Sequence, residues 1–308
     1  MKISVAKYFE DLLNNDVDQK STGQAAIETL MRCIETSKAT TVNELTDELK
    51  RAVTSMSSTD HSIASIKSAS ELFLRFISLA TYEENIQEFS FLINKYKERG
   101  IMFIKQVGMS KMLIARSAKP FIENKKHILT HAFSKTVLAV LMCAKKDGID
   151  AHIFVTESCP NQAGYAMVKA LKECGIQCTL ILDSAVGYIM ETVDLVIVGA
   201  EGVMETGGII NKIGTNPIAV CAKASKKPFF VMAESIKFVK EYPLTQNDIP
   251  IEFKYAASTL KNHEIDKDFS SEHPLVDYTP PQYIKLLFTD LGILTPAAVG
   301  DELMKLYV

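Results

Sequence analysis

The first 120 or so residues carry apolar side chains at helical spacing. Over residues 61–85 these side chains recur every three or four positions, which places them on one face of a helix: Ile66, Ala69, Phe73, Phe76, Ile77 and Ala80. A capping-box pattern, Thr41 followed by Glu44, predicts a helix that continues to about Ser55. A further long helix is predicted from Glu83 to about Val107, where Gly108 intervenes. This half therefore predicts a bundle of about five or six helices.

The pattern changes near residue 125, where short β-branched runs begin to alternate with helical stretches. The predicted strands are 127–131, 151–157, 177–183, 194–200 and 228–234, and the helical stretches between them are 135–148, 162–175 and 184–193. Two of these helical stretches end at glycines, Gly148 and Gly175, in the position that closes a helix. Strand–helix–strand repeats of this length predict a parallel sheet with helices on both faces, an α/β fold.

Two further segments complete this half. Residues 241–282 hold several prolines and little periodicity, so they predict a long loop that lies either near subunit contacts or as a mobile surface loop. Residues 283–290 predict the final strand, and Thr295-Pro296 predicts the start of a last helix.

Composition excludes several classes of function. The 308 residues are 47% hydrophobic, and the net charge of −3 argues against a protein that binds nucleic acid through bulk electrostatics. No apolar run approaches the roughly 20 residues of a membrane span, and the amino-terminal residues lack a secretory pattern. The six cysteines form no CxxC pair, which predicts a reduced, cytoplasmic chain without disulfides or a zinc site.

The carboxyl ends of the predicted strands should form one crevice, because ligands of parallel sheets bind there. A stretch with five glycines, residues 198–215, starts at the end of the fourth strand. Gly199 and Gly202 predict a tight turn, and Gly207 and Gly208 would let the backbone approach a ligand closely. The alternative is that the glycines only pack a crossover.

Polar residues at the end of this stretch favour an anion. Asn211 and Lys212 precede Thr215, which is predicted to be the N-cap of a helix with Pro217 in its first turn. A helix N-terminus, free backbone N–H groups and a lysine together make an anion site. The spacing matches neither the dinucleotide-binding fingerprint nor a Walker loop.

Several stretches resemble a known family. GAEGVMETGGIINKIGT, ILTHAFSKTVLAVL, VTESCPNQAG, KPFFVMAESIKF, LLFTDLGILTPAAVGDEL and ELFLRFISLA closely resemble the alpha-subunit family of eukaryotic translation initiation factor 2B. That family shares its fold with isomerases of methylthioribose 1-phosphate and ribose 1,5-bisphosphate. The resemblance implies an N-terminal helical domain, residues 1–122, followed by a Rossmann-like α/β domain, residues 123–308.

The residues that distinguish the isomerases are replaced here. Ala132 stands where the isomerases have the catalytic cysteine of a THCN stretch, and Glu201 where they have a catalytic aspartate. Cys159 stands where their ETRP stretch has a phosphate-binding arginine, whereas Asn211 and Lys212 match. Because the isomerisation needs a positioned acid and base, we expect no catalytic residue and no cofactor.

The pocket is then expected to hold a phosphorylated small molecule, a sugar phosphate or a nucleotide, without converting it. His131 either lines this pocket or is a structural histidine with its hydrogen bonds satisfied. The predicted ligand residues are His131, Glu201, Gly207, Gly208, Asn211 and Lys212.

The resemblance implies a regulatory subunit of the complex that exchanges guanine nucleotide on initiation factor 2. In the family the alpha subunit forms a homodimer through its C-terminal domain and bridges the two halves of a ten-subunit assembly, in which its partners are the beta, gamma, delta and epsilon subunits. Its helical domain helps to sense factor 2 phosphorylated on its alpha subunit. We expect Thr41, Glu44 and Phe73 to contact that partner. The alternatives are that Thr41 and Glu44 only cap a helix and that Phe73 is core.

Two other functions remain open at this point. One is a working sugar-phosphate isomerase, and the other is a stand-alone dimer that binds sugar phosphates or nucleotides outside the translation complex.

Overall fold

The computed structural model describes residues 4–14, 20–59, 61–79, 89–254 and 274–307. One compact unit comprises Met1–Met109 with Leu306–Val308, and the other comprises Ser110–Lys305. The boundary predicted after residue 122 coincides with the end of the helix Phe89–Ile122, and the division by packing lies inside that same helix.

The first unit is helical. Its helices are α1 (Val5–Leu13), α2 (Thr22–Thr36), α3 (Val42–Ser57), α4 (Ile63–Ser78) and the first part of α5 (Phe89–Ile122). The capping box predicted for α3 is confirmed, since the Glu44 backbone N–H donates to Thr41 Oγ1 and the Thr41 backbone N–H donates to a Glu44 oxygen. Of the predicted apolar stripe, Ile66, Ala69, Phe73 and Ile77 are buried in α4 and Phe76 is partly buried, whereas Ala80 lies outside the described residues.

The predicted extent of the long helix is wrong at its carboxyl end. Its predicted start, Glu83, lies outside the described residues. The helix α5 continues past Gly108 to Ile122. A glycine inside a helix costs only about 1 kcal/mol relative to alanine, and packing of the residues after it, such as Ile114 and Ala118, outweighs that cost.

The second unit contains a sheet of order β11-β10-β7-β4-β1-β2-β3. Its strands are β1 (His127–Thr130), β2 (His152–Thr156), β3 (Cys178–Ile181), β4 (Leu195–Gly199), β7 (Phe229–Met232), β10 (Leu286–Thr289) and β11 (Gly292–Leu294). All neighbours are parallel except β10 and β11. The α/β fold is therefore confirmed, as are the six predicted strands, but a seventh strand, β11, follows the one predicted as final.

The helices of this unit are α6 (Lys135–Lys146), α7 (Ala163–Glu173), α8 (Val186–Ile189), α9 (Thr215–Ala224) and α10 (Val299–Tyr307). The end of α5 packs with α6 and α7 against one face of the sheet, where the core includes Ile122, Val137, Leu141, Ile153, Met167 and Leu195. The stretch 184–193, predicted to be helical, forms only a 3₁₀ turn and the four-residue α8. The buried apolar residues of the stretch 184–193 are Val186, Met190 and Val193. They are too few to form the apolar stripe of a longer helix.

A second sheet has the order β8-β5-β6-β9. Its strands are β5 (Gly202–Met204), β6 (Ile209–Lys212), β8 (Phe238–Val239) and β9 (Val276–Thr279). The glycine-rich stretch predicted as a tight turn is thus mainly an antiparallel hairpin of β5 and β6. The segment 241–282 was predicted to be a loop but contains β9, which pairs with β6; residues 255–273 lie outside the described part.

Among the described residues no helix has the length and apolar character to cross a membrane.

Candidate functional site

The carboxyl ends of six parallel strands lie along one edge of the seven-stranded sheet. The hairpin of β5 and β6 begins directly after β4, and α9 follows the hairpin. His131, Glu201, Asn211 and Lys212 therefore reach this edge from two consecutive parts of the chain. The crevice predicted from the sequence would be formed by these elements.

Ala132 follows β1 with a left-handed backbone, φ 59°, and is buried. Such a conformation is uncommon for a residue other than glycine and is typical of tightly constrained sites. Two residues later, the Ser134 hydroxyl accepts a hydrogen bond from Val137 N and caps α6. A Cβ at Gly199 would lie 2.4 Å from Ser134 Oγ, so the glycine at the end of β4 makes room for this cap.

His131 is buried with both ring nitrogens bonded. Nε2 lies 2.9 Å from the Ile213 carbonyl oxygen, which only accepts, so Nε2 carries the proton. Burial lowers the pKa of the imidazole, against the opposing Asp183 carboxylate, so the ring is neutral and Nδ1 accepts from the Thr156 hydroxyl at 2.6 Å. This arrangement matches a structural histidine, and its contribution to a ligand site stays a prediction.

Glu201 and Lys212 form an ion pair of 2.9 Å across the start of the hairpin. The Glu201 side chain is 13% exposed and the Lys212 side chain 25%. The main chain holds them together, because Glu201 N donates to the Ile210 carbonyl. The lysine predicted to receive an anion already has a carboxylate of the same chain against it.

The start of α9 differs from the prediction. Thr215 is the first helical residue, and the N-cap is Gly214 with φ 103°. A Cβ at Gly214 would come within 3.0 Å of the His131 ring, so glycine is needed both for the turn and for the close approach. The Thr215 hydroxyl donates to the Lys212 carbonyl at 2.6 Å and accepts from Asn211 Nδ2 at 3.1 Å.

Asp277 occupies the N-terminus of α9. Its Oδ2 accepts from Gly214 N at 2.8 Å and from Asn216 N at 3.0 Å, while Oδ1 accepts no hydrogen bond from the described residues. Burial raises the pKa of this carboxyl to about 7, and the backbone donors oppose the rise only partly. The helix end at which an anion was expected is thus occupied by a carboxyl group of β9. Sequence reasoning missed Asp277 because it assigned residues 241–282 to a loop; the alternation in Val276–Thr279 was the available signal.

Gly207 and Gly208 lie at the turn of the hairpin, the end opposite to Glu201 and Lys212. A Cβ at Gly207 would lie 2.1 Å from the Pro296 carbonyl oxygen, and one at Gly208 would lie 2.5 Å from the Tyr278 ring. The close approach predicted for these glycines is therefore made to the chain's own Pro296 and Tyr278. Their contact with a ligand stays a prediction, and the structure does not bring them to Lys212.

A second ionic group at the same edge was not singled out from the sequence. Lys237 Nζ lies 3.3 Å from the Glu234 carboxylate, which is fully buried after β7 and also accepts from the Thr136 hydroxyl at 3.5 Å. Burial lowers the pKa of Lys111; the Glu234 carboxylate opposes this shift, and the Lys237 cation adds to it. The sequence analysis placed Glu234 at the end of a predicted strand. No recognised motif in the sequence indicated that Lys111 and Lys237 lie close to it.

Cys159 is exposed beyond β2. Its pKa is raised by desolvation and by the carboxylates of Glu157 and Asp183, so the thiol stays protonated and is a weak nucleophile. These three side chains have ligand atoms within 4.8 Å of one another, the spacing a cation would need. Both Asp183 oxygens, however, already accept the backbone N–H groups of Ser158 and Cys159.

The residues predicted to contact a partner lie in the helical unit. Thr41 and Glu44 are exposed, and Glu44 also accepts from the Thr40 N–H at 2.7 Å and the Thr40 hydroxyl at 2.9 Å, which lowers its pKa. Phe73 is fully buried, with its ring centroid 5.8 Å from that of Phe103. The prediction of direct contact by Phe73 conflicts with this burial, because its apolar stripe packs inside the unit.

Comparisons with known proteins agree with this architecture. The model of the initiation factor 2 subunit family matches residues 17–296. The chain is 46% identical over 306 residues to the translation initiation factor eIF2B subunit alpha of Caenorhabditis elegans, covering 99% of both chains. It is also 32% identical over 271 residues to the ribose 1,5-bisphosphate isomerase of Archaeoglobus fulgidus, covering 88% of this chain and 83% of that one.

The fold is similar to that of a chain in the tetrameric eIF2B-beta2-delta2 complex from C. thermophilum. The TM-score is 0.74 at 20% identity, with 99% of this chain and 96% of that chain covered. The helical unit, the parallel sheet, the sequence identity and the matching family model together show that this chain belongs to the initiation factor 2 subunit family.

Proposed function

We propose that this translation initiation factor subunit is a non-catalytic regulatory subunit of the complex that exchanges guanine nucleotide on initiation factor 2. The observation that carries the proposal is Ala132, a buried methyl group at the strand end where an isomerase of this fold would present a thiol. An alanine side chain donates no proton. Removal of one member of a catalytic acid–base pair lowers the rate by orders of magnitude.

The other ionisable groups of the crevice do not replace the missing thiol. Glu201 is engaged with Lys212, and its side chain is one methylene longer than the aspartate of the isomerases. Cys159 has a raised pKa and stands beyond a different strand. His131 has both nitrogens bonded within the chain. These contacts support a pocket without an available acid and base.

The same pocket is proposed to bind a small phosphorylated molecule, a sugar phosphate or a nucleotide. Lys212 supplies the positive charge, Asn211 holds the start of α9, and Glu201 and His131 lie beside them, whereas Gly207 and Gly208 pack against Pro296 and Tyr278 at the other end of the hairpin. The ligand's phosphate must compete with Glu201 for Lys212. Binding is therefore expected to be weaker than in a site with an unpaired lysine.

Turnover and binding assays test both statements together. Purified chain is incubated with ribose 1,5-bisphosphate and with methylthioribose 1-phosphate; we expect no product and saturable binding of at least one of them. Lys212→Met should weaken that binding at least tenfold, whereas Lys169→Met, an exposed lysine on α7, should leave it unchanged. Product formation would instead establish the isomerase, the alternative that the archaeal relative favours.

We also propose a homodimer, with beta, gamma, delta and epsilon subunits as further partners and a cytoplasmic location. Parallel sheets normally have both faces covered. Here α8 has only four residues and covers little of the sheet. Phe154 on β2 is partly exposed, and its register partner on β3, Thr179, is exposed. Leu182 and Tyr188 are exposed as well. A second copy would cover this surface.

The dimer surface is tested by sedimentation analysis. Tyr188, which is 90% exposed, is changed to Glu, and the matched control is Tyr242→Glu at another exposed tyrosine. We expect monomers only from the first variant. Co-purification of the native chain from cell lysate with other initiation factor 2B subunits distinguishes the regulatory role from that of a stand-alone ligand-binding dimer.

The exposed start of α3 is proposed to contact initiation factor 2 phosphorylated on its alpha subunit, and Phe73 is proposed to support that surface from inside. Thr41→Lys combined with Glu44→Lys should abolish the preference for the phosphorylated factor in a binding assay. Thr54→Lys, exposed near the other end of α3, is the control. If the double variant folds and retains the preference, this assignment fails.

A further inference from the structure

A pocket of about 460 Å³ lies at the amino edge of the seven-stranded sheet, the edge opposite to the crevice. It is lined by the end of α5, the last turns of α6, the loop into β2 and the loop into β3. Its floor is aliphatic and belongs to the buried core of the second unit: Ile122, Leu141, Ala144, Ile153 and Ile176. A partly enclosed aliphatic pocket of this volume is the size of a small-molecule site.

Two helix ends fix the walls of this pocket. At the end of α6, Gly148 N donates to the Lys145 carbonyl and Ile149 N to the Ala144 carbonyl. At the end of α7, Gly175 N donates to the Lys172 carbonyl and Ile176 N to the Leu171 carbonyl. Both are Schellman motifs with a glycine of positive φ followed by an isoleucine.

These caps explain why the pocket is preformed. A Schellman motif directs the residue after its glycine back onto the last turn of the helix. The positions of Ile149, which is partly exposed at the wall, and Ile176, which is 6% exposed in the floor, are therefore fixed by backbone hydrogen bonds before a ligand binds. A rigid, prebuilt site spends less free energy on ordering when it binds.

The rim carries an excess of positive charge. Lys126 and Lys145 line the pocket, and Asp150 is the carboxylate that lines it. Lys145 forms an ion pair with Asp150, whereas Lys126 is exposed directly before β1. The polar rim also includes Gln177 and His152. The His152 Nε2 atom lies 2.9 Å from the Thr179 hydroxyl. An apolar floor below such a rim suits a molecule with an apolar body and one negative head group.

We propose that this pocket binds a small monoanionic amphiphile, such as a short-chain carboxylate, with its chain on the isoleucine floor and its head group against Lys126. The inference is independent of the crevice and of the regulatory role. The volume and the charge at the rim select the class of ligand, and the two caps hold the site open.

Octanoate is the probe, and isothermal titration of the full chain is the measurement. We expect saturable binding with one site per chain, weakened at least tenfold by Lys126→Glu. Lys125→Glu, the same charge change one residue earlier and outside the pocket lining, should shift the affinity less than twofold. The neutral analogue 1-octanol should bind both variants equally, because its contacts are with the floor.

A second variant blocks the pocket sterically. Gln177 is exposed at the mouth, so Gln177→Trp should abolish binding of octanoate and of 1-octanol without unfolding the chain. Lys212→Met in the crevice should leave octanoate binding unchanged, which separates this proposal from the one on sugar phosphates. Absence of saturable binding to the native chain, or equal losses from Lys126→Glu and Lys125→Glu, would overturn the proposal.

Discussion

Charged side chains are placed differently at the two edges of the seven-stranded sheet. At the carboxyl edge, Lys212 is paired with Glu201 and Lys237 with Glu234, and Asp277 caps α9 from inside the chain. At the amino edge, the interior is aliphatic and its ion pair, Lys145 with Asp150, stands at the rim in contact with solvent.

The difference has a physical origin. A charge that leaves water must be paired, and at the carboxyl edge Lys212 and Lys237 each lie against a carboxylate of the same chain. A ligand there must displace a carboxylate. At the amino edge nothing charged is buried in the pocket floor, and backbone hydrogen bonds of two helix caps keep the space open. Stability and ligand binding at the carboxyl edge should therefore depend on the protonation and substitution of its ionic groups. At the amino edge they should depend mainly on the shape of the pocket.

The largest effect is expected from pH acting on Asp277. Burial raises the pKa of this carboxyl from its usual 3.8 to about 7. The folded chain therefore binds a proton more tightly than the unfolded chain, so the contribution of Asp277 to stability is complete below pH 3.8 and is lost as pH rises through 7. Between pH 5 and pH 8 the free energy of unfolding should fall by about 3 kcal/mol more in the native chain than in Asp277→Asn.

Urea unfolding of the two proteins at several pH values measures this difference. Asp150→Asn, an exposed carboxylate at the amino edge, is the control and should follow the native pH dependence. A free energy of unfolding that changes with pH by the same amount in both proteins, or that falls less in the native chain than in Asp277→Asn, contradicts the buried, proton-sensitive cap.

A matched pair of glycines compares packing at the two sites. Gly207 has φ 80° and Gly148 has φ 79°, so alanine meets the same backbone strain at both. A Cβ at Gly207 would lie 2.1 Å from the Pro296 carbonyl oxygen, whereas no atom of the described residues lies within 4 Å of one at Gly148. Gly207→Ala should therefore lower the free energy of unfolding by about 2 kcal/mol more than Gly148→Ala. Equal losses in thermal or urea unfolding would show that the hairpin shifts to accommodate the methyl group.

These glycines also show what the sequence predicts and what it leaves open. The glycine-rich stretch was correctly located at the end of the fourth strand, and the closing positions of Gly148 and Gly175 were correctly assigned, because local backbone rules decide both. The hairpin and β9 were missed, since β5 has only three residues and β9 is recognisable only through its distant partner β6. Pairing over such sequence distances leaves a weak local signal.

The same distinction between local signals and long-range pairing applies to the residues of the candidate site. The sequence placed Lys212 and Glu201 in the same stretch, and Ala132, where the resemblance to the isomerases implies a thiol, also stands in one short stretch. It did not reveal that Asp277 fills the start of α9 or that Glu234 and Lys237 pair, because both depend on the folded arrangement of strand ends. Phe73 was correctly placed on an apolar stripe, and the stripe's burial follows from packing of the helices.

A smaller effect is expected when Lys212 is released from its partner. Glu201→Gln removes the competing carboxylate and should tighten the binding of ribose 1,5-bisphosphate about tenfold, or about 1.4 kcal/mol. Glu205→Gln, on the same hairpin but at its turn, is the control and should change the affinity less than twofold. Titration calorimetry at fixed salt gives both values. Weaker binding by Glu201→Gln would mean that Glu201 contacts the ligand and does not compete with it.

The smallest effect is expected at the amino edge. The Asp150 side chain of the Lys145–Asp150 pair is 80% exposed, so solvent screens the attraction. Lys145→Gln, Asp150→Asn and the double variant should give a coupling free energy below about 0.5 kcal/mol in urea unfolding. The same cycle with Lys212→Gln and Glu201→Gln should give a clearly larger value, because that pair is less exposed. Equal coupling in the two cycles would remove the electrostatic distinction between the edges and leave only their difference in shape.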